Sequence, residues 1–162
     1  MSILVADAGP LIFLAKLGRL NLLQIEGNEV FIPNAVMSEI RAKNDDATLK
    51  IKQALKTWLQ VKIIKNQEAV NLLLADLDIG EAEVIVLANE IKADRLLLDD
   101  YNARRFARRI EIPITGTLGI LLTAKLQGKI PPVKNEIEGL QKYGFWANKA
   151  LISEVLSIAE EK

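Results

Sequence analysis

Four acidic residues, Asp7, Glu39, Glu81 and Asp99, lie where apolar runs of the sequence give way to predicted helices. A parallel α/β fold gathers such positions into one cleft. The 162-residue chain contains no His and no Cys, so carboxylates are the leading candidates for any chemistry. This composition excludes imidazole bases, thiolate metal sites, cysteine nucleophiles and disulfides.

Carboxylates that crowd together at neutral pH repel one another and raise each other's pKa. A Mg²⁺ or Mn²⁺ ion removes this repulsion and prefers oxygen ligands. Such an ion can activate water and stabilise the charge that develops on a phosphodiester. Because the chain has no His, metal-bound water is the natural nucleophile, and the sequence predicts a metal-dependent nuclease.

Two of the four acids follow predicted strands. Residues 2–6 form a short apolar run that ends at Asp7, and residues 95–98 form another that ends at Asp99. Ligands of open parallel sheets bind beyond the carboxyl ends of the strands, so both side chains face one crevice if these strands are neighbours. Alternatively, Asp7 only caps the helix that follows it. One of Asp99 and Asp100 is expected to cap the next helix, and we favour Asp99 as the metal ligand because it is nearer the strand end.

The other two acids lie in predicted helices. Glu39 lies about two turns after Pro33, and its alternative role is a solvated residue paired with Lys43 at i,i+4. Glu81 lies in the first turn of the clearest helix, near its positive end. Asp78 precedes it by three residues, so a capping-box pair is an equally weighted alternative.

The remaining pattern alternates strands and helices, which predicts a mainly parallel sheet of about five strands with right-handed crossovers. One domain over residues 1–162 is the simplest account, with an amphipathic C-terminal helix at 146–160. The other predicted strands are residues 29–32, 61–64 and 112–114. The predicted helices are residues 11–23 with a break at Gly18, 33–42, 46–59, 66–75, 78–93, 101–110, about 117–127 and one starting at 131.

Net charge is zero, so nothing global predicts nucleic-acid binding. Four arginines nevertheless cluster on the helix that begins at the acidic crevice: Arg104, Arg105, Arg108 and Arg109. Such cations could neutralise phosphates, and the alternative is a solvated helix face with salt bridges. Arg41 and Lys43 could extend this basic rim. With four Phe and two Tyr, an aromatic platform for stacking bases is not evident from sequence.

Several motifs together resemble the PIN-domain superfamily, and more narrowly the DUF3368 group related to VapC-type toxins. They are VADAGPLIFLAKLGRLNLL, PNAVMSEI, DIGEAEVIVLANE, LLLDDYNARRFA, ITGTLGILLTAKLQGKIP and GFWANKALISEVL. The resemblance implies a three-layer α/β/α sandwich and a Mg²⁺- or Mn²⁺-dependent endoribonuclease. It also implies a toxin with a small cognate antitoxin, and a homodimer.

Carried over by position, Asp7, Glu39, Glu81 and Asp99 match the four acids of the family, with Asp100 as an additional candidate metal ligand. Two features depart from the family pattern. The third acid is usually Asp, and Ala8 follows the first acid where many relatives have a hydroxyl residue nearby. Thr115 and Thr117 are candidates to supply a hydroxyl instead, and Thr117 could contact nucleic acid.

Two alternatives compete with the ribonuclease. One is a catalytically weak or inactive PIN-like binding module. The other is a receiver-like or phosphatase-like domain, which the sequence disfavours because position 9 is Gly and no DxD motif follows the first strand. No apolar run reaches transmembrane length and no leader-like N-terminus is present, so a cytoplasmic location without membrane contact is expected. The tail helix with Phe145 and Trp146 is expected to dock on the core of its own domain, and the alternative is that it helps form a dimer or antitoxin groove.

Overall fold

Five parallel strands form the centre of the fold. The computed structural model describes residues 2–25 and 28–161, and within them the strand order is β3-β2-β1-β4-β5. The strands are β1 (Ile3–Ala6), β2 (Glu29–Ile32), β3 (Leu59–Val61), β4 (Arg95–Leu97) and β5 (Ile114–Thr115). Helices flank this sheet as in a PIN-like α/β/α sandwich, which confirms the predicted fold class.

The helices account for most of the remaining chain. They are α1 (Ala8–Lys16), α2 (Leu22–Ile25), α3 (Asn34–Arg41), α4 (Asp46–Ala54), α5 (Gln67–Leu73), α6 (Ile79–Glu90), α7 (Tyr101–Ala107), α8 (Thr117–Leu126), α9 (Val133–Lys142) and α10 (Lys149–Ile158). A 3₁₀ turn at Arg108–Ile110 continues α7. Within the described residues, none of these helices combines the length and apolarity that a membrane span needs.

The core explains why the central strands are continuous apolar runs. Leu4, Val5 and Ala6 of β1 are completely buried, as are Leu96 and Leu97 of β4. Strands with both faces covered by helices need no alternation of apolar and polar residues. The positions of β1 and β4 are therefore well determined, and the residues at their carboxyl ends are fixed with them.

The end of α4 and the start of β3 are both predicted wrongly. The helix expected over residues 46–59 ends at Ala54, and the strand expected over 61–64 begins at Leu59. Leu59 pairs with Val30 of β2 and is buried, whereas Ile63 is 73% exposed. Because β3 is an edge strand, apolar residues that follow it can be exposed to solvent. The apolar pattern alone therefore places this strand too late in the sequence.

Smaller differences occur at other ends. The first helix begins at Ala8, so Pro10 occupies its first turn, where no intrahelical donor is needed. The fifth strand is shifted to Ile114–Thr115 from the predicted 112–114. The last helix begins at Lys149, after an Asn148 cap, and ends at Ile158.

Candidate active site at the carboxyl ends of the central strands

The strand order reverses between β1 and β4, which are adjacent and parallel. Open α/β sheets bind ligands at such a switch point. The Asp7 amide donates to the Leu97 carbonyl over 3.0 Å, so Asp7 lies beside the end of β4. Asp7, Asp99 and Asp100 line one cleft of about 880 Å³, which we call the acidic cleft. The two acids expected at strand ends are therefore brought together.

Asp7 is held by the start of α1. Its Oδ1 accepts a hydrogen bond from the Ala8 amide over 2.9 Å. Burial, and to a smaller extent the charges of Asp78, Glu81 and Glu39, raise the pKa of Asp7 to about 7, against the lowering effect of the Ala8 hydrogen bond. Glu81 and Glu39, two of the acids expected to cooperate with Asp7, are therefore within electrostatic reach of it.

Glu81 belongs to a capping box at the start of α6, as the alternative interpretation predicts. The Glu81 amide donates to Asp78 Oδ1 over 2.8 Å, and Glu81 Oε1 accepts from the Asp78 amide over 3.1 Å. Burial raises the pKa of Glu81 to about 7, and Asp78 and Asp100 raise it as well. The side chains of Glu81 and Asp100 are close enough for hydrogen bonding, which also raises the pKa of Glu81.

The start of α6 lies against Asp7. A Cβ atom added at Gly80 would lie 3.7 Å from Asp7 Oδ1 and 3.5 Å from Asp78 Oδ1. Gly80 is buried, so the two carboxylates approach the same point of the α6 backbone without a side chain between them. This contact links the acid after β1 to the acids at the start of α6.

Asp99 is positioned by both groups of Thr117. The Thr117 amide donates to Asp99 Oδ1 over 2.8 Å, and the Thr117 hydroxyl donates to Oδ2 over 2.6 Å. Gly116, the N-cap of α8, has no side chain, so Asp99 serves as the cap from a distant part of the chain. Burial raises the pKa of Asp99, while the Thr117 bonds and the charge of Arg104 oppose this.

Arg104 lies inside the site and not on the outer helix face. Its Nε donates to the Leu98 carbonyl over 2.7 Å, and the residue is half-buried in the wall of the acidic cleft. A Cβ atom added at Gly116 would lie 2.8 Å from Arg104 Nη2 and 2.6 Å from Asp99 Oδ1. The guanidinium and the carboxylate therefore converge over Gly116.

The other three arginines remain at the surface. Arg105 and Arg108 are exposed, and Arg108 joins Arg104 in lining a smaller adjoining cleft of about 380 Å³. Arg109 lies over the Phe106 ring, with its Cζ 5.0 Å from the ring centroid. The arginines expected to form one basic group thus occupy three different environments.

The remaining candidates differ in exposure. Glu39 is exposed on α3, and Asp100 is the exposed N-cap of α7, with its Oδ2 accepting from the Ala103 amide over 2.8 Å. Glu83, which is not among the acids predicted from the sequence, is 8% exposed, and its Oε1 accepts from the Ala35 amide at the start of α3 over 3.1 Å. The feature of the sequence that could have identified Glu83 is a charged residue within the apolar run of α6.

The sequence matches the DUF3368 family, described as a PIN domain, over residues 3–161. The chain belongs to the DUF3368 family of PIN domains. A search of curated proteins found no match. PIN domains are generally nucleases, so this PIN domain falls at the coarse level among hydrolases of nucleic acids, and the receiver-like alternative is set aside.

The acidic cleft of this PIN domain fits a divalent cation in its donor chemistry. Its candidate ligands are all carboxylate oxygens, which hard cations prefer. Burial and mutual repulsion raise the pKa of both Asp7 and Glu81 to about 7, and a nearby cation would relieve that repulsion. Among the residues that the structure describes, however, no three acidic side chains already form a metal cage. Capping bonds and Arg104 hold these side chains in the observed arrangement.

Proposed function

We propose that this PIN domain is a Mg²⁺- or Mn²⁺-dependent endoribonuclease, with Asp7, Glu81, Asp99 and Asp100 as the groups that would hold the cation. The principal support is the acidic cleft at the switch point, which Asp7, Asp99 and Asp100 line and where Asp7 and Asp99 follow adjacent strands. Glu81 is not among the residues that line this cleft, but its charge acts on Asp7. When bound, the cation would activate water and stabilise the charge that develops on the scissile phosphodiester.

Other interactions within the chain would position the metal ligands and tune their charge. Thr117 would orient Asp99, since both of its donors are committed to that carboxylate. The capping box would orient Glu81, since one of its carboxylate oxygens accepts from the Asp78 amide. Glu39, the fourth candidate catalytic acid, would act at longer range through its effect on Asp7.

Phosphate contacts would come from α7. Arg104 faces the acidic cleft, and Arg105 and Arg108 are exposed along the same helix and the turn after it. Cations at these positions would offset the repulsion between the carboxylates and the RNA backbone. Thr117 is completely buried, so we assign it to the positioning of Asp99 and not to contact with RNA.

We further propose that the protein is the toxin of a toxin–antitoxin pair and forms a homodimer. The family resemblance supports this setting, and an antitoxin segment that covers the acidic cleft would block the substrate. An RNA substrate implies action in the cytoplasm. Co-purification with the product of the neighbouring reading frame, and the mass in solution by light scattering, test the two parts separately.

RNA cleavage by the purified protein with Mg²⁺ or Mn²⁺ tests the catalytic proposal. Asp7→Asn and Asp99→Asn should each reduce the rate by about 100-fold or more, since even outer-shell partners of metal ligands are worth roughly 10–100-fold. Asp76→Asn, an exposed carboxylate outside the cleft, is the matched control and should cleave like the parent. Equal residual cleavage in all variants would refute the assignment and favour the catalytically inactive binding module.

A further inference from the structure

Two exposed aromatic side chains border the acidic cleft. Tyr101 is 70% exposed and Trp146 is 81% exposed, and both line the same cleft as Asp7 and Asp99. Large aromatic side chains are usually buried to a high degree, so two exposed rings beside one cleft indicate a binding surface. The proposed catalytic machinery leaves both rings without a role.

Trp146 projects from a segment that is fixed on both sides. The preceding residue, Phe145, packs edge-on against the Phe13 ring with centroids 5.2 Å apart. Two residues after Trp146, Asn148 caps α10 by accepting from the Leu151 amide over 2.7 Å. The exposed indole is therefore presented by an anchored backbone, and binding a planar ligand requires little ordering of the chain.

Tyr101 heads a row of cations. Tyr101, Arg104 and Arg105 lie at the i, i+3 and i+4 positions of α7, which share one face of a helix, and Arg108 begins the 3₁₀ turn that follows. Arg104 belongs to both the acidic cleft and the smaller adjoining cleft, where Arg108 also lies. The aromatic border of the acidic cleft thus leads directly into positive charge.

We propose that Trp146 and Tyr101 stack the bases of a single-stranded RNA, whose backbone continues past the carboxylates along Arg104, Arg105 and Arg108. Single-strand binding sites combine aromatic faces for bases with a cationic groove for phosphates, and this surface combines the same two features. Bases inside a duplex are stacked on one another and cannot reach the rings. The identity of the ligand as RNA rests on the proposed ribonuclease function.

Fluorescence of Trp146 tests the proposal directly. The chain has two tryptophans, and Trp58 is half-buried in the turn after α4, so Trp58→Phe leaves Trp146 as the reporter. An Asp7→Asn background with Mg²⁺ keeps the RNA intact under the proposed mechanism. Titration with a single-stranded oligoribonucleotide of about 12 nucleotides should quench the emission, whereas the same RNA annealed to its complement should not.

Substitutions then measure the contribution of each ring to RNA affinity by filter binding. Trp146→Ala and Tyr101→Ala should each weaken binding by about 5- to 140-fold, the range expected for the loss of one stacked base. Trp146→Phe retains a stacking face and should recover most of the affinity. Tyr143→Ala removes a 48%-exposed ring that does not line the cleft and should bind like the parent. Unchanged melting temperatures establish that the variants are folded.

Undiminished RNA affinity in both Trp146→Ala and Tyr101→Ala would overturn the proposal, whatever the cleavage assay shows. The same holds if Trp146→Ala binds RNA normally but loses a co-purifying protein, because the surface would then be a protein-docking site. Conversely, RNA could quench Trp146 emission and bind more weakly to Trp146→Ala, in a protein that shows no metal-dependent cleavage. That result would support base stacking and refute only the ribonuclease function.

Discussion

Asp7→Asn should stabilise the metal-free protein at neutral and alkaline pH. Asp7 is half-buried and within electrostatic reach of Asp78, Glu81 and Glu39, and burial together with these charges raises its pKa from 3.8 to about 7. Ionising Asp7 in the folded state therefore costs free energy that the unfolded chain does not pay. Asn removes the charge and keeps a side-chain oxygen for the hydrogen bond from the Ala8 amide.

The size of this stabilisation and the pH range in which it appears follow from the ordinary pKa of 3.8 and the folded-state pKa of about 7. Because the folded-state pKa is raised, the contribution of Asp7 to stability is greatest below about pH 4, falls as pH rises from there through about 7, and is constant above that. At 1.36 kcal/mol per pKa unit, the full loss is about 4 kcal/mol. Each kcal/mol corresponds to roughly 2–4 °C in Tm for a chain of this size.

Urea denaturation of the parent and Asp7→Asn in EDTA, from pH 5 to pH 8.5, measures the effect. The advantage of the variant should grow with pH and level off near pH 8. Asp76→Asn, the exposed control, should show no such trend. Added Mg²⁺ should stabilise the parent above pH 7 more than Asp7→Asn. A constant difference across this range, or one that shrinks as pH rises, would refute the account of Asp7.

Three further predictions concern the surroundings of Asp99. Gly116→Ala puts a methyl group 2.6 Å from Asp99 Oδ1 and should impair Mg²⁺ binding measured by calorimetry, whereas Gly9→Ala, with no atom within 4 Å, should not. Thr117→Val removes the hydroxyl donor at 2.6 Å and should cost about 1.5–3 kcal/mol of unfolding free energy in urea, as for other bonds to charged groups. Arg104→Met removes the cation beside Asp99, so calorimetry should show tighter Mg²⁺ binding while filter binding shows weaker RNA binding; a parallel change in both would contradict this role.

Elements that are buried on both faces must consist of apolar residues, and these elements could be predicted from the sequence. The apolar runs of β1 and β4 can exist only between two helical layers, so they and the acids that follow them were predictable. The edge strand β3 was not, because the exposed Ile63 extends the apolar pattern past Val61, the last residue that pairs with β2. Periodicity reports which residues could be buried and not which ones find a partner.

The directions in which side chains point could not be predicted from the sequence either. The sequence allowed a solvated helix face as one alternative for the four arginines, yet the Arg104 guanidinium bends back to the Leu98 carbonyl and towards Asp99. Likewise, Thr117 is the donor that fixes Asp99 from 18 positions away, a pairing that depends on β4 and β5 being adjacent. Contacts across the sheet of this kind leave no periodic signal in a single sequence.

The sequence left two interpretations of Asp7, Glu81 and Asp99 in competition, helix cap or metal ligand, and the topology makes them compatible. Helices α1, α6, α7 and α8 all begin at the edge where β1 and β4 end, and each has a carboxylate at its start: Asp7, Asp78 with Glu81, Asp100 and Asp99. The positive helix ends partly offset the repulsion among these charges. Because each carboxylate oxygen has two acceptor sites, capping leaves sites for a cation. Burial first, and then the neighbouring carboxylates, still raise the pKa values of Asp7 and Glu81 to about 7, so the helix ends do not fully stabilise the charged forms. A bound divalent ion would supply the missing stabilisation of these charges.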